Sequence, residues 1–280
     1  MRGEAYAAGT IVNGLATGIG CAFGLDLKTR VDISIEDDIK YSILLVDGKE
    51  VSDRIVDRVM RSFGFKGIVK AESVIPRGCG LGSSSAFMNA MLISILNLKE
   101  EELDAQYILT TNATMAMEMG ISYTGAIDDA GASLLGGVVL SNNEEMKFYH
   151  RNTLVFDDAL ILIPEWGRGE ISMKELRKEP QEVEHAVDYV FEHDYMSAML
   201  SNSRYYCRKL EYSFEPVEQA AELGLHGGLS GNGPAYTAFG ERDRIQELKT
   251  LWDSYGQVIE TKLVNSPCDD IKNIDHLFTT

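Results

Sequence analysis

The stretch Pro76-Arg77-Gly78-Cys79-Gly80-Leu81-Gly82-Ser83-Ser84-Ser85-Ala86 sets three glycines at alternate positions and three serines in a row ahead of an apolar run reaching Leu98. Glycine removes the side chains that block close backbone approach, and a helix start offers unpaired N–H groups and the positive end of its dipole. Such a loop is a natural cradle for phosphate. A turn followed by a serine-capped helix is the plain structural alternative for a glycine-rich loop taken alone. Two better-known phosphate loops are excluded. A G-x-x-x-x-G-K-[ST] loop needs a lysine, and none lies between Gly78 and Ala86; a G-x-G-x-x-G loop needs glycine where Ser83 stands.

Upstream of the loop, Lys66 to Val74 reads as a strand. Downstream, Ser83 to Leu98 reads as a buried helix carrying Phe87, Met88, Met91, Leu92, Ile95 and Leu96. A second helix is predicted over about Glu100 to Met119, then a loop from Gly120 to Asp129, then the Gly136-Gly137 pair and a short strand at Val138. Earlier strands are expected at Glu4 to Val12, Cys21 to Ile35 and Tyr41 to Val46, the last ending in an Asp47-Gly48 turn. Between Ser52 and Gly64, Ile55, Val56, Val59, Met60 and Phe63 recur at helical spacing, with Ser52 as N-cap and Gly64 as stop.

The fold class is therefore α+β, opening with a mostly antiparallel sheet and packed helices. The polar stretch Ser141 to Glu145, followed by a buried strand over Leu154 to Pro164, places a domain boundary near residue 150 and divides the chain into 1–150 and 151–280. Helical patterns follow at Gln181 to His193, Tyr195 to Leu210, Pro216 to Leu223 and Arg242 to Trp252. Strands are expected at Leu225 to Leu229, Ala235 to Gly240 and Gln257 to Leu263.

Composition narrows the function. With 280 residues, 45% hydrophobic and 25% charged, the chain suits a globular protein of one large or two medium domains. Its net charge of −17 opposes binding to nucleic acid or anionic membrane. An anionic nucleotide remains compatible, because groups inside a cleft set its local field. The scattered cysteines Cys21, Cys79, Cys207 and Cys268 form no metal-binding spacing, and His185 and His193 lack a third ligand. With neither a signal-peptide core nor an apolar run of membrane length, a cytoplasmic location is expected.

The loop resembles the central motif P-x-x-x-G-L-G-S-S-A of the GHMP kinases, through Pro76, Gly80, Leu81, Gly82, Ser83 and Ser84, with Ser85 replacing the usual alanine before Ala86. Thr124-Gly125-Ala126-Ile127-Asp128-Asp129-Ala130 is similar to the family's P-S-G-[IV]-D-N-A. Leu229-Ser230-Gly231-Asn232-Gly233-Pro234-Ala235 is similar to its S-G-S-G-[GP], with Asn232 as a departure. The opening from Ala7 to Leu27 looks like that of the archaeal-type shikimate kinases. The resemblance implies a two-domain GHMP kinase fold with a ferredoxin-like C-terminal domain. It also implies phosphorylation of shikimate at the 3-hydroxyl, feeding aromatic amino-acid synthesis, with ATP and Mg²⁺ as cofactors.

Phosphoryl transfer requires charge neutralised on the β and γ phosphates, a bridging metal and an acceptor hydroxyl held in line. The loop Pro76 to Ala86 would hold ATP, chiefly through N–H groups of Gly80 to Ser83. The Ser84 hydroxyl and Glu118, the latter carried over from the family's acidic ligand ahead of the catalytic aspartate, would hold Mg²⁺. Asp128 would orient the reacting hydroxyl and accept its proton; the bland reading makes Asp128 and Asp129 ordinary loop residues. Asn13 in the opening segment, and Ser230 and Gly231 in the third motif, are expected on the substrate side. Shikimate's carboxylate calls for a guanidinium from among Arg2, Arg77, Arg168 and Arg204, with Arg168 singled out by its position in the loop Trp166 to Gly169. The partners expected are the small-molecule substrate and, at most, a second copy in a homodimer. Homoserine kinase, a GHMP-type decarboxylase and a catalytically silent ligand sensor are the alternatives.

Overall fold

A computed structural model describes residues 1–51, 54–120, 122–167, 169 and 171–278. In its first half the chain forms β1 (Arg2–Val12), β2 (Ile19–Ile35), β3 (Ile43–Val46), β4 (Lys49–Val51), α1 (Arg54–Ser62), β5 (Gly67–Ser73), α2 (Ser83–Lys99), α3 (Ala105–Glu118), α4 (Ile127–Leu135), β6 (Val138–Asn142) and β7 (Lys147–Asn152). The long strand β2 organises them. One of its edges carries β1, while the other is shared, with β6 on Ile19 to Phe23 and β5 on Thr29 to Ile35. All pairs are antiparallel except β3 with β5. The Asp47-Gly48 signal forms the expected turn, both residues taking positive φ between β3 and β4.

Burial along β2 explains the layering. Beyond Thr29 it alternates, with Val31 and Ile33 buried and Arg30, Asp32 and Ser34 exposed, as a sheet with one wet face requires. Its first half, Gly20 to Leu25, is buried continuously because α2, α4 and the second half of the chain pack around it. Helix α2 is apolar all round and buried from Met88 to Leu96. It lies flush on β1, since a Cβ at Gly3 would fall 2.2 Å from the carbonyl oxygen of Ala90. A buried amide chain ties the helices together: Asn112 Nδ2 donates to Asn89 Oδ1 at 2.7 Å, and Asn89 Nδ2 donates to the Ala130 carbonyl at 2.9 Å. These bonds satisfy polar groups that would otherwise destabilise the core.

The second half contains β8 (Asp158–Pro164), α5 (Met173–Leu176), α6 (Gln181–Phe191), α7 (Tyr195–Leu210), α8 (Glu215–Glu222), β9 (His226–Leu229), β10 (Tyr236–Gly240), α9 (Arg242–Trp252) and β11 (Gly256–Lys262), then a 3₁₀ turn at Ile274–Phe278. Its four strands lie in the order β11-β8-β10-β9, all antiparallel, which is the ferredoxin-like arrangement. The terminal segment returns to the first half. Lys272 exchanges backbone hydrogen bonds with Leu103 and Ala105, and Phe278 stacks edge-on against Phe148.

Three sequence expectations change. Asp128 and Asp129 occupy the first turn of α4 rather than the end of a loop, because the helix begins at Ile127 after left-handed Ala126. The polar stretch near residue 145 is a hairpin: β7 pairs with β6, residue 150 lies inside β7, and the crossing to the second sheet runs over residues 153–157. Helix α3 starts at Ala105, capped by Asp104, whose Oδ1 accepts from the Tyr107 N–H at 2.8 Å. The expected cap Ser52 of α1 lies outside the described residues.

Candidate active site

Between the glycine loop and the start of α4 lies a cleft of about 300 Å³. Gly78, Gly80, Leu81, Gly82, Ser83, Ser84 and Ser85 form one wall, and Thr124 to Ala126 with Asp128 and Asp129 form another. Thr10, Asn13, Leu15, Asn143, Gly231 and Asn232 are also among the lining residues. The three motifs, far apart in sequence, therefore meet. Pro76, Arg77, Cys79 and Ala86 belong to the same loop and helix start but do not line the cleft.

The loop is fixed from two directions. From β1, the Ala8 N–H donates to the Leu81 carbonyl at 3.1 Å. From the second half, the Ala235 N–H donates to the Cys79 carbonyl at 3.1 Å and Ser230 Oγ donates to the Gly80 carbonyl at 2.7 Å. Gly80 is essential to this seam, for it combines φ of 84° with a backbone approach that would bring a Cβ within 2.0 Å of the Ser230 carbonyl oxygen. Helix α2 then starts at Gly82 with no side-chain cap. Its unpaired N–H groups and dipole remain available to an anion. The serine-capped alternative does not hold.

Ser230 is thus corrected from a substrate contact to a brace for the loop: it is fully buried and outside the lining. Gly231 does line the cleft, its N–H donating to Thr10 Oγ1 at 2.8 Å. Asn13 also lies in the cleft, in a turn held by the second half. Its N–H donates to Asn202 Oδ1 at 3.0 Å, its carbonyl accepts from Tyr206 at 2.9 Å, and its side-chain amide donates to Asn232 Oδ1 at 2.9 Å.

Asp128 is 5% exposed. Its Oδ1 accepts from Asn143 Nδ2 at 2.8 Å. Burial pushes its carboxyl above the usual carboxylate range, against the opposing pull of the Asn143 hydrogen bond. Asp129 is pushed up further by burial and by the Asp128 charge beside it. Activity that depends on ionised Asp128 accordingly disappears, as pH falls, at a higher pH than for a solvated aspartate.

Glu118 is not brought into the cleft. It stands at the end of α3 with a side chain 57% exposed, 3.5 Å from Arg58. Among the described residues the lining holds no lysine or arginine. Arg2 pairs with Glu4, Arg204 lies over the Phe214 ring, Arg77 is exposed beside the loop, and Arg168 falls outside the described residues. The cation tied to the lining is one the sequence did not indicate. Arg177 donates through Nε to the carbonyl of the lining residue Leu15 at 3.0 Å and pairs with Glu144 at 2.9 Å.

Residues 50–137 match the family described as GHMP kinases N terminal domain. The chain is 42% identical over 271 residues to a shikimate kinase of Archaeoglobus fulgidus, covering 97% of this chain and 95% of that protein. The chain belongs to the GHMP kinases, within the family of the archaeal shikimate kinases. A shikimate kinase of Methanosarcina mazei is 36% identical, with 94% of each chain covered. Among solved structures, a mevalonate kinase of Methanococcus jannaschii superposes with a TM-score of 0.74 at 16% identity, covering 95% of this chain and 98% of that one. A mevalonate pyrophosphate decarboxylase of Streptococcus pyogenes superposes with a TM-score of 0.69 at 14% identity, covering 96% and 98%. Those two likenesses establish the GHMP fold and, being a kinase and a decarboxylase, leave the chemistry to the site.

The seam distinguishes two glycines of the loop. Gly80→Ala adds both backbone strain, roughly 1–2 kcal/mol, and the clash with Ser230, whereas a Cβ at Gly78 meets nothing within 4 Å. In titrations with ATP, Gly78→Ala is expected to weaken binding by no more than its strain, about 30-fold at most, and Gly80→Ala by more than that. Equal losses in the two variants would refute the seam.

Proposed function

We propose that the protein transfers the γ-phosphoryl group of ATP to the 3-hydroxyl of shikimate, giving shikimate 3-phosphate and ADP. The observation that carries this reading is the buried Asp128 carboxylate opening onto the same cleft as the glycine loop, in a chain with close, full-length shikimate kinase relatives. The loop and the start of α2 would receive the phosphates. The acceptor hydroxyl donates a hydrogen bond to Asp128, its oxygen forms a bond to the γ phosphorus, and the bond from phosphorus to the ADP oxygen breaks with its electron pair leaving on ADP. The hydroxyl proton passes to the Asp128 carboxylate late in the transfer, since a carboxylate is a far weaker base than an alkoxide.

Mg²⁺ fits the donor set. The lining offers hard oxygens from Ser84 and Asp129, and the described residues contain no cluster of three metal-ligating side chains, so phosphate oxygens would supply the other ligands. Ser84 would hold the cation, with Asp129 as the carboxylate on the lining. Glu118 would join only by leaving Arg58, which costs little, since an exposed pair is worth about 0–1 kcal/mol. Bound there, Mg²⁺ neutralises charge on the phosphates.

Arg177 replaces Arg168 as the proposed partner of the shikimate carboxylate. The bond from Arg177 to the carbonyl of Leu15, which lines the same cleft as Asp128, supports this reading. The half-exposed Glu144 partner exchanges readily for a substrate carboxylate. The two-domain division also enters as a proposal, with the crossing at 153–157 as the joint.

ADP release with Mg-ATP, measured across shikimate, homoserine, mevalonate and a no-acceptor control, is expected to show turnover with shikimate alone. Turnover with another acceptor instead would overturn the substrate. Asp128→Asn is expected to lower kcat by about 100-fold or more while ATP affinity stays near normal. Arg177→Met is expected to raise KM for shikimate by about 10- to 150-fold, the loss of one charge-assisted contact, with KM for ATP unchanged. An unaltered shikimate KM would remove Arg177 from the site.

A further inference from the structure

Asn143 is buried at 3% exposure and lines the cleft, though it lies in the polar turn that follows β6. Its amide is committed on both sides. Oδ1 accepts from the Asp128 N–H at 3.3 Å and from the Ser141 hydroxyl at 2.9 Å, while Nδ2 donates to Asp128 Oδ1 at 2.8 Å. A backbone N–H can only donate, so the Asp128 amide fixes which end of the Asn143 side chain is oxygen and leaves the NH₂ group facing the carboxylate. The main chain of Asn143 is held as well, its N–H donating to the Gly18 carbonyl at 2.8 Å.

Two glycines leave space for this pair. A Cβ at Gly14 would fall 2.7 Å from Asn143 Nδ2, and one at Gly20 would fall 2.1 Å from Asp128 Oδ2 and 3.0 Å from Asn143 Nδ2. Neither glycine has the positive φ that would otherwise account for it. Four separate features, the hydroxyl of Ser141, the N–H of Asp128 and the missing side chains of Gly14 and Gly20, converge on one amide.

We propose that Asn143 is a positioning residue that clamps Asp128 in the orientation needed to receive the acceptor's proton. The inference rests on the assignment of Asp128 as proton acceptor. Asn143 Nδ2 holds Oδ1 of the carboxylate while its own Oδ1 is held by the Asp128 N–H and the Ser141 hydroxyl, so the carboxylate is fixed without a charge that would compete for the phosphates.

The test is kcat and KM for ATP of the wild type, Asn143→Ala, Ser141→Ala, Asp128→Asn and the double variant Asn143→Ala with Asp128→Asn. Asn143→Ala is expected to lower kcat by about 100-fold, the cost of a misplaced catalytic group, while KM for ATP holds. Ser141→Ala, which removes one hydrogen bond to the same amide, is expected to lower kcat by less, and it carries the test if Asn143→Ala does not fold. Because the clamp acts through Asp128, the double variant is expected to be no slower than Asp128→Asn alone, which a merely structural role would not give. Losses that multiply in the double variant, or a kcat unchanged in both Asn143→Ala and Ser141→Ala, overturn the proposal while leaving Asp128 in place. Full activity in Asp128→Asn overturns the underlying assignment instead.

Discussion

The glycine loop keeps one shape because it is stitched to both halves of the chain. β1 holds Leu81, while Ser230 and Ala235 hold Gly80 and Cys79. Each of these bonds takes a loop carbonyl as acceptor and so turns the loop's remaining backbone toward the cleft. The close approach of Gly80 to Ser230 leaves no room for a side chain. A long loop left to itself would spend conformational entropy on binding; a stitched loop has already spent it in folding.

The cleft faces opposite electrostatic demands at its two ends. At the loop, partial positive charge comes from backbone N–H groups and the α2 dipole, with no lysine or arginine among the described residues of the lining, in a protein of net charge −17. At α4, two adjacent carboxylates are held with little solvent and resist ionisation together. A cation carried in with the nucleotide would relieve the second condition as it meets the first.

Much of this was legible in the sequence, because the readable parts are local. Alternate glycines before an apolar helix state the loop directly, and Asp128 is identified by its flanking pattern. The hairpin of β7 was not legible: Ser141 to Glu145 is polar enough to pass for a linker, and only its pairing with β6 makes it structure. Nor was Asn143, an amide in that same stretch, since nothing in its neighbours indicates that it folds back on a residue 15 positions earlier. Glu118 shows the reverse case, a residue placed by motif that turns outward to Arg58.

The sequence by itself determined the α+β class, the glycine loop ahead of its helix and the family, because each is written in short-range spacing that backbone geometry converts into local structure. Tertiary structure alone decided which residues brace the loop, which amide holds Asp128 and which guanidinium holds the carbonyl of Leu15. Those contacts join positions up to 162 residues apart, as Arg177 and Leu15 do. Their pairing depends on how two sheets and their helices pack, which no local pattern encodes.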